Sequence, residues 1–566
     1  MRKLADLFSK DESPNRPKKR QSDPSVFSLF TRPGRRKKKF VSDAPPTTNN
    51  CAVEFREDKV FWAMRDMPIE EAVKNFLVCG MVGSGKTIAI RLFLQSIARR
   101  FMPDRKQPEQ LIIFDAKSEI LPILAGMGLT NDNPNFYILN PFDERSMIWN
   151  LGEAVQEPAL ARGFATLLAP EEAKSSAPFF ASAARDLVNA VILGLNHTAG
   201  TNWTLRDLLC ALDSKTIIKK VTSRHPRAKQ MVQQLIGDRS HFHGVLSTLS
   251  TKLVPFHQTA ALWHTSNSAK SFSIKDFLSK PGVLVLGNDT VLRDSLWPIN
   301  AAMIRALTAE ILRGPNYSTP RHWFILDEFR AMEKVDAMHD LLNRGRSKGA
   351  SVVLGIQSTE GLMQVYQENG THDILSQCTS KSFLRAGGPK TAQYASDVFG
   401  SIRWYESSVT QNFGKENSHS VQTSIADRPL LLPSYFLNIP FPGPAKPYTV
   451  VSDVPSDNTT YITKRPFDTV ISWVKPAADT KQHPTLIART SVSDQTLEPW
   501  SAEEMHLYCG PAKSKKRKSA EAESTNPAKP KAKPRQKSKK SNNKSGLAKR
   551  RNRRGGKNGQ GPAQAM

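Results

Sequence analysis

The chain is 566 residues long and 39% of it is hydrophobic, which is enough apolar sequence for roughly two to four soluble domains. The formal net charge of +28 is concentrated at the ends, because residues 1–40 carry +9, residues 511–566 carry +17 and the segment 41–510 carries only +2. No window approaches 18 consecutive apolar residues and the N-terminus lacks the apolar core of a secretory signal, so the sequence predicts neither a membrane-spanning helix nor a secreted protein.

Five cysteines are spread along the sequence without a Cys-x-x-Cys pair. They are Cys51, Cys79, Cys210, Cys378 and Cys509. Scattered cysteines of this kind indicate a reducing compartment and neither a disulfide framework nor a zinc site. We therefore expect the protein to be cytoplasmic.

Residues 1–50 are rich in Lys, Arg, Ser and Pro, a composition that cannot bury enough apolar surface to fold, so a disordered basic tail is predicted. Basic clusters at residues 18–20 and 35–39 flank an apolar island at residues 26–30. Such a tail could bind an anionic membrane surface or nucleic acid, or remain a solvated flexible segment. The sequence alone leaves these three interpretations open.

Residues 51–155 show the alternation of short apolar runs and amphipathic segments that is typical of an α/β domain with a parallel sheet. Strands are predicted at residues 53–56, 59–62, 76–79, 111–115 and 136–140, and a helix at residues 87–101. We interpret this segment as the first part of a nucleotide-binding domain because of the motif that joins the strand 76–79 to the helix.

That motif consists of Gly80, Met81, Val82, Gly83, Ser84, Gly85, Lys86 and Thr87, which fit the phosphate-binding pattern G-x-x-x-x-G-K-S/T between a strand and a helix. The glycines let backbone N–H groups point at a phosphate, and the helix adds the positive end of its dipole. Lys86 is expected to reach the β and γ phosphates of ATP, and Thr87 to bind Mg²⁺.

Residues 156–270 are predicted to form an all-α domain, because the strand-like runs stop there and helical periodicity takes over. One apolar face is formed by Phe179, Phe180, Ala183, Leu187, Val188, Val191 and Leu195, and another by Leu205, Leu208, Leu209 and Leu212. The helical domain would divide the nucleotide-binding domain in sequence.

The α/β pattern returns in residues 271–455, the second part of the nucleotide-binding domain. Strands are predicted at residues 283–286, 323–328, 352–357, 382–385 and 448–451, and a helix at residues 295–312. Residues 456–510 form a weakly defined C-terminal extension, and residues 511–566 a second disordered basic tail.

A second acidic motif accompanies the phosphate loop. Asp327 and Glu328 follow a buried apolar run, and successive residues at the end of a strand point to opposite faces, so each carboxylate can take a different role. Asp327 suits a contact to Mg²⁺ and its water, and Glu328 can polarise a water for attack on the γ phosphate.

Two further residues, both of which follow this motif in the sequence, complete the candidate catalytic set. Gln357 ends the predicted strand 352–357, where its amide could hydrogen-bond the γ phosphate or the attacking water and sense the state of the nucleotide. Arg346 lies in a basic loop and could reach the γ phosphate of a neighbouring subunit as an arginine finger. A solvated helix end explains this arginine equally well, since basic side chains favour helix C-termini.

Other candidates carry weaker signals. Asp115 and Lys117 follow a predicted strand on the nucleotide side, although a simple turn is the more economical interpretation. His241 and His243 have no further ligands nearby in sequence, so we interpret them as ordinary helix or surface residues. The sequence Arg403-Trp404-Tyr405 could stack on nucleotide bases, but aromatic residues of a strand are more often buried.

Several of these motifs, in this order, resemble those of type IV secretion coupling proteins. The matching segments are residues 80–87, 111–119, 139–143 with Trp149 and Asn150, 178–180 with 183–185, 326–328, and 345–347 leading to Gln357 and Ser358. The likeness runs from about residue 50 to residue 455. Members of this family are RecA-like hexameric ATPases that deliver relaxase-bound single-stranded DNA to a conjugation channel.

The resemblance implies an α/β fold in which a RecA-like P-loop nucleotide-binding domain is interrupted by an all-α domain. Matched motif by motif, Lys86 and Thr87 bind ATP and Mg²⁺, Asp327 and Glu328 are the acidic pair, Gln357 is the sensor and Arg346 is the finger supplied in trans. It further implies DNA as a partner, bound as a single strand without sequence preference, together with a relaxase, channel proteins and further copies of the chain in a homo-hexamer.

Family members usually begin with a membrane-spanning segment, and none is predicted here. Recruitment to the cytoplasmic face of the inner membrane would then come from a partner protein, from the basic N-terminal tail, or not at all. Two other functions also fit the residues: a septal or repair DNA translocase unrelated to secretion, and a non-hydrolysing adapter in which nucleotide holds a hexamer together while the tails recruit a relaxase.

Overall fold

The computed structural model describes residues 53–170, 178–236, 239–264, 271–289, 291–412, 418–454, 459–489 and 496–510, and the backbone of two short strands near the N-terminus. All of them belong to one unit, Met1–Ala512. Within the predicted tail 1–50 the structure describes only residues 26–27 and 39–42, which are strands and not disordered chain. The rest of that tail and the predicted basic tail 511–566 lie outside the described residues, so the predictions for them are untested.

The strands, in chain order, are β1 (Val26–Phe27), β2 (Lys39–Ser42), β3 (Lys59–Trp62), β4 (Arg65–Pro68), β5 (Phe76–Cys79), β6 (Gln110–Asp115), β7 (Phe136–Leu139), β8 (Ile148–Trp149), β9 (Ser271–Phe272), β10 (Gly282–Gly287), β11 (Tyr317–Leu326), β12 (Lys348–Ile356), β13 (Ser380–Phe383), β14 (Ser401–Asn412), β15 (Ser418–Pro429), β16 (Tyr448–Val454) and β17 (Thr459–Arg465).

The helices are α1 (Lys86–Ile97), α2 (Ile120–Gly126), α3 (Leu151–Ala154), α4 (Pro158–Leu168), α5 (Pro178–Ala199), α6 (Leu205–Leu212), α7 (Lys215–Thr222), α8 (Pro226–Ile236), α9 (Arg239–His264), α10 (Ile274–Leu278), α11 (Arg293–Arg313), α12 (Ala337–Arg344), α13 (Thr359–Gln377), α14 (Pro389–Phe399), α15 (Pro433–Leu437), α16 (Phe467–Trp473) and α17 (Ala502–Cys509). Short 3₁₀ helices occur at Ile69–Lys74, Ala98–Phe101, Phe329–Met332 and Gly345–Ser347.

An 11-stranded sheet in the order β1-β2-β17-β16-β13-β5-β12-β11-β6-β10-β7 organises the fold. The seven strands from β13 to β7 are parallel, and β16 and β17 are added antiparallel at one side. Every residue of β5, β6 and β10 is buried, as expected when helices cover both faces of a parallel sheet. The predicted α/β fold is confirmed, and its parallel strands bring their carboxyl ends to one edge.

The segment before β5 differs from the prediction. Residues 53–56 are not a strand, and β3 forms a separate antiparallel hairpin with β4 instead of leading into the sheet. The ring centre of Trp62, at the end of β3, lies 4.6 Å from that of Phe76 and 5.7 Å from that of Phe93. The hairpin therefore folds back because its aromatic residues are buried between the sheet and α1.

Helices α3 to α10 follow the first three strands of the parallel sheet, β5, β6 and β7, and include the run predicted to be helical. The short strands β8 and β9 pair in parallel on either side of helices α3–α9, which brings the two ends of this run together. The two predicted apolar faces are buried except at the start of α5, where Phe179 is 59% exposed. The prediction is wrong for Phe179 alone, because the next residue, Phe180, lies against Gly244 of α9.

The region after residue 400 also differs from the prediction of scattered short strands. The antiparallel hairpin β14–β15 pairs twelve residues of each strand outside the main sheet. Strand β17, which we assigned to a weakly defined extension, pairs with β16 within the main sheet, so the predicted boundary after residue 455 falls inside a strand pair. Both strands of the long hairpin are rich in Ser and Thr, and the weak apolar alternation explains why its length was missed.

The structure also shows the surroundings of His243 and Arg403, two residues with weaker signals in the sequence. His243 belongs to α9 beside buried Phe242, and the described residues contain no group of three metal-ligating side chains. Arg403 in β14 forms an exposed ion pair with Asp427 at 3.4 Å. Among the residues that the structure describes, no helix is long and apolar enough to cross a membrane.

The segment 496–510 packs against the helical region through a partly buried ion pair. Arg206 in α6 donates to both carboxylate oxygens of Glu504 at 2.6 and 3.1 Å, and the Trp500 indole donates to Asp207 at 2.8 Å. The Trp500 ring stacks on that of Tyr508 with 4.6 Å between ring centres. The C-terminal part of the extension is thus held by defined polar contacts.

Glu504→Gln should lower the melting temperature by about 2 °C at pH 7, since the neutral amide forms a weaker contact with Arg206. The hydrogen bonds from Arg206 lower the pKa of Glu504 from 4.5 to about 2. This stabilisation is present above the unfolded-state pKa and disappears as the pH falls from 4.5 towards 2. Thermal unfolding at several pH values measures the difference, and it should shrink on acidification. Exposed Glu503→Gln is the matched control and should change the melting temperature little at any pH.

Candidate functional site

The predicted phosphate loop joins β5 to α1 at the carboxyl edge of the sheet. Gly83 and Gly85 adopt left-handed backbone conformations, with φ of 77° and 96°, which favour glycine. A Cβ atom on Gly80 would lie 2.5 Å from Ser84 Oγ and 2.8 Å from Leu384 Cβ. The loop is therefore a tightly packed cradle that depends on all three glycines.

Lys86 begins α1 and turns back over this cradle. Its Nζ donates to the carbonyl oxygens of Gly80 at 2.6 Å and Met81 at 3.4 Å, and the residue is only 6% exposed. Burial lowers the pKa of Lys86, while the negative charges of Glu328 and Asp327 oppose that shift. A buried ammonium held by the carbonyl oxygens of a glycine loop is a suitable cation for a polyphosphate chain.

Asp327 directly follows β11, two strands away from the phosphate loop. Its pKa is raised by burial, and Lys117 and Lys86 act in the opposite direction. The Oδ1 atom is buried and has no hydrogen-bond partner within the described part of the chain. An orphaned carboxylate oxygen beside a Thr at the start of the phosphate-loop helix matches the oxygen ligands that Mg²⁺ prefers. Thr87 and Asp327 line one crevice, so the residues present fit this metal.

The backbone turns at Glu328, the residue that directly follows Asp327. With φ of 62° it is left-handed and begins the 3₁₀ helix Phe329–Met332, so the two carboxylates diverge through this turn rather than by the strand alternation that we expected. Gln357, the first residue after β12, donates to Glu328 Oε2 at 2.6 Å. The predicted base and the predicted sensor are therefore in direct contact.

Lys117 was a weak candidate in the sequence, where a simple turn was the preferred interpretation, and the structure places it at the site. Its Nζ lies 4.0 Å from Asp327 Oδ2. Asp115, by contrast, accepts hydrogen bonds from the backbone N–H groups of Glu119 and Ile120 at 3.0 and 3.2 Å, as a turn residue does. The only available signal was a lysine just past the carboxyl end of a strand neighbouring the Asp-Glu strand.

Gln357 leads directly into α13, which links it to a second helix. Ser358 caps α13 by accepting from the N–H of Gly361 at 3.0 Å. Thr359 N donates to Thr391 Oγ1 at 3.0 Å, and Thr391 Oγ1 donates to Glu360 at 2.6 Å. Because Thr391 lies in α14, a displacement of Gln357 would change the positions of both α13 and α14.

Gly355 leaves the space that Asp327 occupies. A Cβ atom on Gly355 would lie 2.9 Å from Asp327 Oδ1 and 3.2 Å from Asp327 Cα, and the second of these neighbours is backbone that cannot easily move. The absence of a side chain at this position of β12 therefore sets where the carboxylate sits.

Gly355→Ala should raise the Mg²⁺ concentration needed for half-maximal Mg²⁺-dependent binding of a nucleoside triphosphate by about tenfold, because displacing a metal ligand typically costs that much. A Mg²⁺ titration of this binding measures the change, and circular dichroism checks that the fold persists. Gly370→Ala is the control, since its nearest neighbour would be 3.4 Å away. Equal Mg²⁺ requirements in the two variants would contradict this role of Gly355.

Arg346 is not near the other predicted catalytic residues of its own chain. It lies in the 3₁₀ helix Gly345–Ser347 before β12, is exposed, and is separated from Gln357 by the whole nine-residue strand. That strand spans about 30 Å. The structure thus brings together Lys86, Thr87, Asp327, Glu328 and Gln357, adds Lys117, and leaves Arg346 at the opposite edge of the sheet.

The sequence matches a profile of the type IV secretion-system coupling protein DNA-binding domain over residues 62–443. It is 23% identical over 361 residues to coupling protein TraD of Escherichia coli (strain K12), covering 62% of this chain and 47% of that protein. It is 21% identical over 351 residues to the type IV secretion system-coupling protein VirD4 of Bartonella quintana (strain Toulouse), covering 58% and 54%. The chain thus spans about half the length of these relatives.

Two solved structures share the fold. The conjugative coupling protein TrwBdeltaN70, in a trigonal form with sulphate, superposes with a TM-score of 0.59 at 19% identity and covers 77% of this chain and 94% of its own. The plasmid coupling protein TrwB in complex with the ATP analogue ADPNP has a TM-score of 0.57 at 20% identity, with 77% and 94% covered.

Proposed function

The chain belongs to the type IV secretion-system coupling protein family, and from this premise we propose that it is an ATP-driven DNA translocase that delivers relaxase-bound DNA to a type IV secretion channel. One observation carries the catalytic part of the proposal. The phosphate loop, an acidic pair and a glutamine in contact with that pair meet at the carboxyl edge of one parallel sheet. This is the arrangement that nucleotide hydrolysis requires.

In the proposed reaction the phosphate loop binds the triphosphate of ATP through its backbone N–H groups and Lys86. Lys86 would exchange its contacts with the carbonyl oxygens of Gly80 and Met81 for phosphate oxygens. Thr87 and Asp327 would hold Mg²⁺, which neutralises charge on the β and γ phosphates. Support comes from the related TrwB, which has been solved with ADP and Mg²⁺.

Glu328 would orient the attacking water and accept its proton, since it is the carboxylate of the pair that Lys117 does not contact. Gln357 donates its amide N–H to Glu328, so Gln357 would be the first residue to be displaced when the γ phosphate is lost. The links from Gln357 into α13 and α14 provide a route by which hydrolysis could move these two helices.

We further propose that the active form is a ring of identical subunits, a homo-hexamer, with ATP bound between neighbours. The position of Arg346 supports this, because an exposed arginine at the opposite edge of the sheet can reach only the site of another copy. In that place it would stabilise charge developing on the γ phosphate.

The basic ends of the chain suit DNA and membrane surfaces. Net charges of +9 on residues 1–40 and +17 on residues 511–566 would add sequence-independent, salt-dependent attraction for DNA. The N-terminal tail could also recruit the protein to the cytoplasmic face of the inner membrane. Fractionation of cells that carry the intact chain, or one lacking residues 1–45, would show whether the tail supplies this attachment.

DNA-stimulated hydrolysis tests the proposed function. The purified chain should hydrolyse ATP faster with single-stranded DNA than without it, and the stimulation should weaken as the salt concentration rises. Hydrolysis at background with both single- and double-stranded DNA would favour the non-hydrolysing adapter. Plasmid transfer from donor cells that lack the gene, with and without a complementing copy, separates a secretion role from septal or repair translocation.

A further inference from the structure

A loop from Ile439, together with Tyr448 at the start of β16, lies against the phosphate loop on the side away from the acidic pair. The Cδ1 and Cε1 atoms of the Phe441 ring are each 3.7 Å from the position that a Cβ atom on Gly83 would take. Tyr448, which is fully buried, donates its hydroxyl hydrogen to the carbonyl oxygen of Gly85 at 3.1 Å. The loop and Tyr448 therefore touch two of the glycines that form the phosphate cradle.

The order of the strands determines which part of a nucleotide would meet this loop. Strand β5 lies between β12 and β13, and the acidic pair follows β11, beyond β12. The γ-phosphate end of the nucleotide must therefore point towards β12. Ribose and base would leave on the other flank, where β13 leads into Arg385 and where the loop with Phe441 lies.

Phe441 is held in place yet partly open. The Arg385 guanidinium carbon lies 4.7 Å from the ring centre and covers one face, and Arg385 Nη1 donates to the carbonyl oxygen of Ile439 at 2.7 Å. Arg385 is itself tied to the cradle, because its carbonyl accepts from the N–H of Met81 at 2.9 Å. With one face of its ring covered and one edge against Gly83, Phe441 is still 39% exposed.

An exposed aromatic ring beside the cradle has no role in packing the core, whereas a flat apolar surface is what a nucleobase requires. We propose that Phe441, supported from behind by Arg385, is the stacking platform for the purine base of the bound nucleotide. The cationic guanidinium polarises the ring and fixes its tilt. Stacking on a ring face adds affinity for any purine without reading its hydrogen-bonding edge.

This inference rests on the proposed ATP site, so its test separates the base from the phosphates. Calorimetry on the full-length chain would measure binding of ATP and of inorganic tripolyphosphate in the presence of Mg²⁺. Phe441→Ala should weaken ATP binding by about tenfold, the usual effect of losing one stacked base, and leave tripolyphosphate within about twofold. Phe179→Ala removes a similarly exposed phenylalanine in α5 and should change neither.

Phe441→Trp provides a second measurement that does not depend on loss of function. The indole should retain ATP affinity, and its fluorescence should be quenched by ATP but not by tripolyphosphate. Equal weakening of both ligands by Phe441→Ala would mean that the ring only shapes the loop, and an unchanged affinity for ATP would mean that the base lies elsewhere. Either result overturns the inference while the proposed function stands. A wild-type chain that binds neither ligand overturns both.

Discussion

Lys86→Ala should weaken ATP binding by at least about 100-fold and abolish DNA-stimulated hydrolysis, since it removes the buried cation that faces the phosphates. The wild-type Nζ already donates to the carbonyl oxygen of Gly80 in the glycine loop. No other side chain of the loop can supply a positive charge there. Calorimetric titration with ATP and a phosphate-release assay in the presence of single-stranded DNA measure the two effects.

Lys106→Ala is the matched control, because Lys106 is exposed in the loop before β6 at the opposite edge of the sheet. The melting temperature of each variant shows whether a loss arises from misfolding. Residual DNA-stimulated hydrolysis in the Lys86→Ala protein above about one per cent of wild type would place the active nucleotide site elsewhere.

Glu328→Gln and Arg346→Ala should each reduce hydrolysis by at least about 100-fold, yet co-expression of the two variants should restore it. In a ring, a site that keeps Glu328 from one subunit and receives Arg346 from its neighbour is complete. Random mixing of equal amounts gives about a quarter of such complete interfaces, so recovery to roughly that fraction of wild-type activity is expected. Phosphate release per subunit, measured on the co-purified mixture, tests this.

A mixture of the Lys86→Ala and Glu328→Gln proteins is the negative control. Both residues act in the same subunit, so no interface in the mixed ring is complete and no recovery is expected. If Glu328→Gln with Arg346→Ala also fails to recover while the proteins co-assemble, Arg346 is not a finger supplied in trans. Its place at the end of α12 would then be that of a solvated cation at a helix C-terminus.

Residues at the carboxyl end of β12 position the acidic pair that follows β11. The amide of Gln357 donates to Glu328, and Gly355, two residues earlier in β12, leaves room for Asp327. Two neighbouring strands thus position each other's functional side chains. Substitutions in β12 are therefore expected to alter Mg²⁺ dependence and water activation without any direct contact to nucleotide.

Local sequence patterns were sufficient to predict many of the secondary-structure elements and the phosphate-binding motif of this protein. A phosphate loop between a strand and a helix, apolar runs closed by carboxylates, and a helical segment between two α/β segments all follow from short-range periodicity and backbone sterics. The predicted positions of β5, β6, β10, α1 and α11 agree with the structure to within a few residues. These features need no knowledge of distant partners, because each is set by neighbours within about a dozen positions.

Contacts between distant residues were decided only by the tertiary structure. Lys117 meets Asp327, and Tyr448 meets Gly85, across more than 200 and 300 positions of sequence respectively. Arg206 likewise holds Glu504 from 298 positions away. No periodicity encodes such pairs, because they depend on the order of strands in the sheet and on how each loop leaves its edge. The sequence by itself determined the elements and the phosphate chemistry; the fold decided which side chains surround that chemistry, since only parallel packing brings separate strand ends to one edge.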